Sequence, residues 1–180
     1  MDYTRKAGGV SRRNITIGSM LLAALVAISL SVGSHRAGPD YIYPTVKGVL
    51  NPQVTQQTIL STICVPGWTS TIRPPVSYTN KLKSQQIQGN PKDYEEDHFV
   101  SLEIGGSPTD PANLWPESYT TQVGGQTVGA RQKDVVETYL HGLVCSNQMT
   151  LANAQAIILK DWYAAYLDIK GQPAPSNTDD

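Results

Sequence analysis

The sequence lacks the signatures of the commonest catalytic classes. It holds no G-x-S-x-G nucleophile elbow, no G-x-x-x-x-G-K-[ST] phosphate loop, no G-x-G-x-x-G turn and no H-E-x-x-H helix. These absences exclude the elbow hydrolases, P-loop NTPases, dinucleotide-binding enzymes and zincin-type proteases. There are two cysteines, Cys64 and Cys145, and no C-x-x-C, so a zinc knuckle is excluded and neither thiol has the setting of a nucleophile. No internal repeat is present. Positive charge is also scarce: beyond residue 37 the chain has 9 Lys and Arg against 14 Asp and Glu. Phosphate contacts need Lys and Arg, so this balance excludes a tight, sequence-independent nucleic-acid clamp. A nuclease with a local basic patch stays open.

What is present begins with export. Arg5, Lys6, Arg12 and Arg13 precede an uncharged, largely apolar run from Ile15 to Val32. A basic segment before such a run reads as a signal peptide or a retained membrane anchor, here residues 1–37, with the rest of the chain outside the cytoplasm. Residues 38–52 form a polar lead-in, 53–170 one domain, and 171–180 a polar tail without expected order. An exported chain with two cysteines predicts one Cys64–Cys145 disulfide, two buried free thiols being the alternative.

Apolar spacing predicts a helix over 53–64, with Val54, Ile59, Leu60 and Ile63 inward. Residues 68–76 are Thr-rich and read as extended. Arg73 there is either a surface arginine or a phosphate contact. Thr79 caps a short helix to Ile87 that carries Lys81 and Lys83, the densest basic cluster left and the natural polyanion contact. Residues 118–129 read as a loop. An amphipathic helix covers 130–144, with Val135, Val136, Leu140, Leu143 and Val144 apolar and Asp134, Glu137 and His141 on a neighbouring stripe. Thr150 caps a last helix to about Leu167.

The most informative stretch runs from Glu95 to Pro116. Asp97 precedes His98; 98–104 reads as a strand; Gly105-Gly106 and a turn-rich 107–111 reverse the chain; Asn113 returns fifteen positions after His98. A carboxylate that can hold a cation, an imidazole that can activate water and an amide that can orient it then meet. Glu95 and Glu96 read as a solvated charge run, and Trp115 and Trp162 as core.

Asp97-His98, Gly105-Gly106 and Asn113-Leu114 resemble the core of HNH endonucleases, the ββα-metal (His-Me finger) class. Together with T-I-C at 62–64, R-P-P at 73–75, N-L-W-P-E at 113–117, the K-D…E…L-H…V-C run over 133–145 and A-Q…I…D-W over 154–162, the region from about Thr58 to Tyr166 resembles small exported bacterial HNH-like proteins. The resemblance implies an α+β fold, a ββα-metal core wrapped by helices. It implies a metal-dependent endonuclease with His98 as general base, Asn113 orienting it, and Asp97 holding one divalent ion, most simply Mg²⁺, with Mn²⁺ or Zn²⁺ as alternatives. Nucleic acid, DNA rather than RNA, is the expected partner; no protein partner is implied. Gln122 stands where the family has its last metal ligand, which moves the second metal contact to Glu137 on the helix stripe; the alternative is an ordinary polar helix face whose carboxylates pair with Arg131 and Lys133. The alternative function is a catalytically silent relative that binds a partner at the cell surface. A hydrolase of other phosphodiesters is a third.

Overall fold

The computed structural model describes residues 44, 46–87 and 89–172. The expected export segment 1–37, residues 38–43 and 45 of the lead-in and the tail from Pro173 lie outside the described residues. Among the described residues no helix is long and apolar enough to cross a membrane.

Among the described residues the fold is mixed α/β, with four α-helices and two small antiparallel sheets. In chain order these are α1 (Trp68–Ile72), α2 (Val76–Gln86), β1 (Tyr94–His98), β2 (Leu114–Ser118), β3 (Thr121–Val123), β4 (Gln126–Val128), α3 (Ala130–Cys145) and α4 (Leu151–Ile169). β1 pairs with β2, and Asp97 lies opposite Trp115 and His98 opposite Leu114. β3 and β4 form a separate hairpin.

The core is a sandwich of α3 and α4 against the long connection between β1 and β2. Val136, Leu140 and Val144 recur every four residues on one face of α3 and are all buried. Ala154, Ile158 and Trp162 answer from α4, and Val100 and Ile104 from the connection. Each fully buried aliphatic chain of this kind contributes about 1.5–3 kcal/mol. The stripe on α3 is narrower than its sequence suggests, because Val135 is exposed. The Thr150 hydroxyl accepts from the Asn153 N–H, as expected of an N-cap. α4 kinks at Asp161, whose side chain recaps the second half by accepting from the Ala164 N–H.

Five sequence expectations change. Residues 53–64 are turns with one 3-10 turn at Ile59–Ser61. Val54, Ile59 and Ile63 are buried as their spacing implied, but Leu60 is exposed. Threonine hydroxyls compete with the helix there: Thr58 accepts from the Thr55 N–H and donates to the Gln53 carbonyl, and Thr62 donates to the Thr58 carbonyl. Residues 68–76 hold α1 rather than extended chain. Helix α2 starts three residues before Thr79, after Pro75, because proline suits a helix entry. The strand ends at His98 instead of starting there; Ser101 accepts from the Glu103 N–H and opens a 3-10 turn at Leu102–Ile104, closed by Gly105 at φ +82°. Residues 118–129 are not a plain loop, since Gly124 and Gly125, both at positive φ, close the β3–β4 hairpin.

The Cys64–Cys145 disulfide is present, with the Cα atoms 5.5 Å apart. It ties the 53–64 segment to the end of α3.

Candidate functional site

The strand pleat decides the geometry of the Asp97-His98 pair. Successive side chains leave a strand on opposite faces. Tyr94, Glu96 and His98 face α2, whose Lys83 Nζ donates to the Tyr94 carbonyl (2.9 Å) and whose Gln86 side chain donates to the Leu114 carbonyl (3.2 Å). Glu95, Asp97 and Glu117 face α3.

On the α3 face the centre is Lys133, 1 % exposed although it sits in the first turn of its helix. Its Nζ donates to Asp97 Oδ2 (2.6 Å), to the His98 carbonyl (2.8 Å) and to Glu137 Oε1. An ammonium has three N–H donors, so Lys133 is saturated. Burial pushes the Asp97 carboxyl up, but the charge and hydrogen bond of Lys133 outweigh it and hold Asp97 below its ordinary value. For Lys133, burial opposes the charge, yet Asp97, Glu137 and Glu117 together raise it. Glu137 is pushed up to about 8, chiefly by burial, against the pull of Lys133 and with Asp97 adding to the rise. Glu117 is 2 % exposed and is raised well above its ordinary value by burial, against Lys133 and with Asp97 beside it. One cation therefore serves three carboxyl groups, and Asp97 holds the greatest share of it.

On the α2 face His98 is 4 % exposed. Its Nε2 lies 3.0 Å from the Pro108 carbonyl. A carbonyl only accepts, so Nε2 carries the proton and the neutral ring keeps Nδ1 as its acceptor. Burial lowers the His98 pKa, the Pro108 contact and Asp97 oppose this, and Arg73 and Lys133 add to the lowering; the net is below the ordinary value. His98 is therefore neutral at pH 7.

Asn113 is fully buried and braces the connection. Its Oδ1 accepts from the Val100 N–H (2.9 Å), and its Nδ2 donates to the Val100 (3.0 Å) and Ser107 (2.9 Å) carbonyls. Gly106 is needed here, because a Cβ would collide with the Val100 carbonyl. Gly129, at the start of α3, likewise leaves no room for a Cβ against the Ser118 carbonyl, so α3 begins hard against the end of β2.

Asp97 and Glu137, expected as metal ligands, do meet, but around Lys133. Asp134 is exposed, and His141 lies at the disulfide, with Nε2 2.9 Å from the Ile63 carbonyl and 3.3 Å from Cys145 Sγ, so the helix stripe does not converge on one point. Gln122 is on β3 and donates to Thr127 Oγ1 (2.9 Å). Of the expected polyanion contacts, Arg73 is exposed and acts on His98, Lys81 is exposed, and Lys83 is half-buried with its ammonium on the strand backbone. Asn113 braces the connection rather than touching the imidazole ring. Sequence reasoning offered Lys133 as a partner of the helix carboxylates, which its pairing with Glu137 matches, but missed its bond to Asp97 and missed Glu117 as a member. The signal for Lys133 was its place: a lysine in a first helical turn opposes the helix dipole unless carboxylates face it.

Cys64, His141 and Cys145 offer three ligand atoms within 4.8 Å of one another and could hold a metal ion of unspecified identity. Here the two sulfurs are joined, and it is the thiolate that is the effective ligand, so this set suits a metal only when reduced. No protein-family model, curated protein or solved structure matches the chain.

Proposed function

We propose that β1, β2 and α3 form a ββα core of the HNH kind, and that the domain hydrolyses phosphodiester bonds in nucleic acid outside the cytoplasm. The observation that carries this reading is His98: a neutral imidazole at the end of β1, its tautomer fixed by Pro108, on a connection braced by Asn113. Nδ1 of such a ring can take a proton from an attacking water, a role that contributes about 10²–10⁴ in rate. Arg73, exposed and acting on His98, is the group to meet the phosphate. The Cys64–Cys145 disulfide suits an oxidising compartment, as export requires.

The metal expected from the resemblance needs a separate test. Asp97, Glu117, Glu137 and the His98 carbonyl are hard oxygen donors, of the kind that hold Mg²⁺ or Mn²⁺. The point that Asp97, Glu137 and the carbonyl share is filled by Lys133 Nζ. With Lys133 seated the residues do not fit a divalent ion.

The small exposure of His98, 4 %, favours a second reading, a catalytically silent relative that binds a partner at the cell surface. Plasmid and single-stranded DNA and RNA, incubated with the parent and with His98→Ala, separate the two. Cleavage by the parent and not by the variant supports the nuclease; no cleavage by the folded parent on any substrate leaves the binding module.

A further inference from the structure

We propose that the Lys133 ammonium is a built-in substitute for a divalent cation: it fills the carboxylate cage between β1 and α3, keeps metal ions out, and leaves a functional metal site behind when it is removed. The argument is one of coordination. Lys133 Nζ has three oxygen partners from three separate places in the chain: Asp97 Oδ2 at 2.6 Å, the His98 carbonyl at 2.8 Å, and Glu137 Oε1 one helical turn further along α3. Two carboxylates and a backbone carbonyl make a donor set typical of a hard cation. Glu117, on the next strand and buried beside Asp97, adds a further carboxyl.

The position of the lysine is otherwise hard to explain. Near the N-terminus of a helix a cation opposes the dipole, and a buried cation loses its hydration. Both penalties are offset only because the carboxyl groups surround it. A divalent ion cannot share this place, since it would need the same oxygens at 2.0–2.6 Å and would face the ammonium at contact distance. Lysine also differs from a metal in being permanent: the cage is filled as the chain folds and no chelator empties it. The cage itself does not depend on the nuclease reading, because its test is metal binding.

The test uses the full chain and Mn²⁺, followed by electron paramagnetic resonance and by melting temperature in Mn²⁺ and in EDTA. The parent should show no bound Mn²⁺ that depends on Asp97, and the same melting temperature in both solutions. Lys133→Ala should bind one Mn²⁺ per chain and melt higher in Mn²⁺ than in EDTA; the gain should vanish in Lys133→Ala/Asp97→Asn. Where Lys133→Ala does not fold in EDTA, refolding in Mn²⁺ is the expected rescue, and failure to refold there counts against the proposal. A folded Lys133→Ala that takes up no Mn²⁺ overturns it. So does a parent that binds one Mn²⁺ and loses it on Asp97→Asn. A parent that cuts DNA only with Mg²⁺, yet shows no Asp97-dependent Mn²⁺ binding, would place the catalytic metal elsewhere and leave the cage as proposed.

Discussion

The two faces of the β1–β2 ribbon carry similar acidic side chains under opposite conditions. On the α3 side, Asp97, Glu117 and Glu137 gather around one saturated ammonium, and Asp97 is held below its ordinary value. On the α2 side, Glu96 is nearly as buried but has no ion pair of its own. Lys83 acts on it only by charge, because its ammonium donates to the Tyr94 carbonyl. Burial therefore wins, and Glu96 is pushed up to about 7 against Lys83 and Gln86. Asp97 and His98 are neighbours in the chain, yet the pleat separates an ion-paired carboxylate from a neutral imidazole. A dipeptide that reads as one catalytic unit is two devices on two sides of a ribbon.

The largest expected effect comes from removing the cation of the α3 face. Lys133→Met leaves three carboxyl groups facing one another, and breaking a buried ion pair from one side costs about 3–5 kcal/mol. Urea unfolding checks it. Adding Asp97→Asn and Glu137→Gln should recover most of the loss, since polar groups of the same shape then replace the unpaired charges. A loss under about 1 kcal/mol for Lys133→Met would erase the contrast between the faces, because Lys133 would then behave as a surface lysine.

Asn113 holds the connection that both faces share. Asn113→Ala orphans three backbone groups, the Val100 N–H and the Val100 and Ser107 carbonyls, and each one left unsatisfied costs about 1–3 kcal/mol. Hydrogen exchange should show the connection opening first, with α4 unaffected. Uniform loss of protection would mean that the brace belongs to the whole core and not to the ribbon.

His98→Ala sharpens the α2 side. Activity on nucleic acid should fall at least about a hundredfold with the fold retained. The pH dependence has a definite sign. The base works as neutral imidazole, and the folded His98 sits below its ordinary value of 6.5. Activity should therefore persist as pH drops through 6.5 and decline only below it. An acid limb centred above 6.5 would contradict a buried, neutral base.

The contrast also explains what the sequence disclosed. α3 and α4 were legible because an apolar stripe marks each and Thr150 caps the second. The disulfide was legible from two cysteines in a chain whose basic and apolar N-terminal segment reads as an export signal. Asp97 and Glu137 were expected to share a metal ion; in the structure both bond Lys133, whose pairing with the helix carboxylates was the alternative, and a metal and a lysine ammonium ask for the same oxygens. Residues 53–64 and 68–76 were misread because threonine hydroxyls and prolines set their local geometry, and side-chain hydrogen bonds leave no periodic trace. The β3–β4 hairpin is only three residues a side, too short for alternation to register. Glu117 escaped notice because strand alternation shows which residues share a face, not what stands across from that face.

The smallest effect is on the least compensated group. Glu96 keeps its proton to about pH 7 in the folded protein, whereas the unfolded chain releases it near 4.5. Between those values the folded state binds more protons than the unfolded state, so stability falls as pH rises through the window. Below 4.5 both states are protonated and the penalty is absent; above 7 it is present in full. Glu96→Gln removes the ionisation and keeps the shape. At pH 4 the variant and the parent should melt together, and at pH 8 the variant should melt a few degrees higher. Lys83→Met should act in the reverse sense, lowering the melting temperature more at pH 8 than at pH 4, because Lys83 is the charge that favours ionised Glu96. An offset between Glu96→Gln and the parent that is the same at both pH values would mean that the carboxyl is as well solvated folded as unfolded. The two faces of the ribbon would then differ in geometry alone.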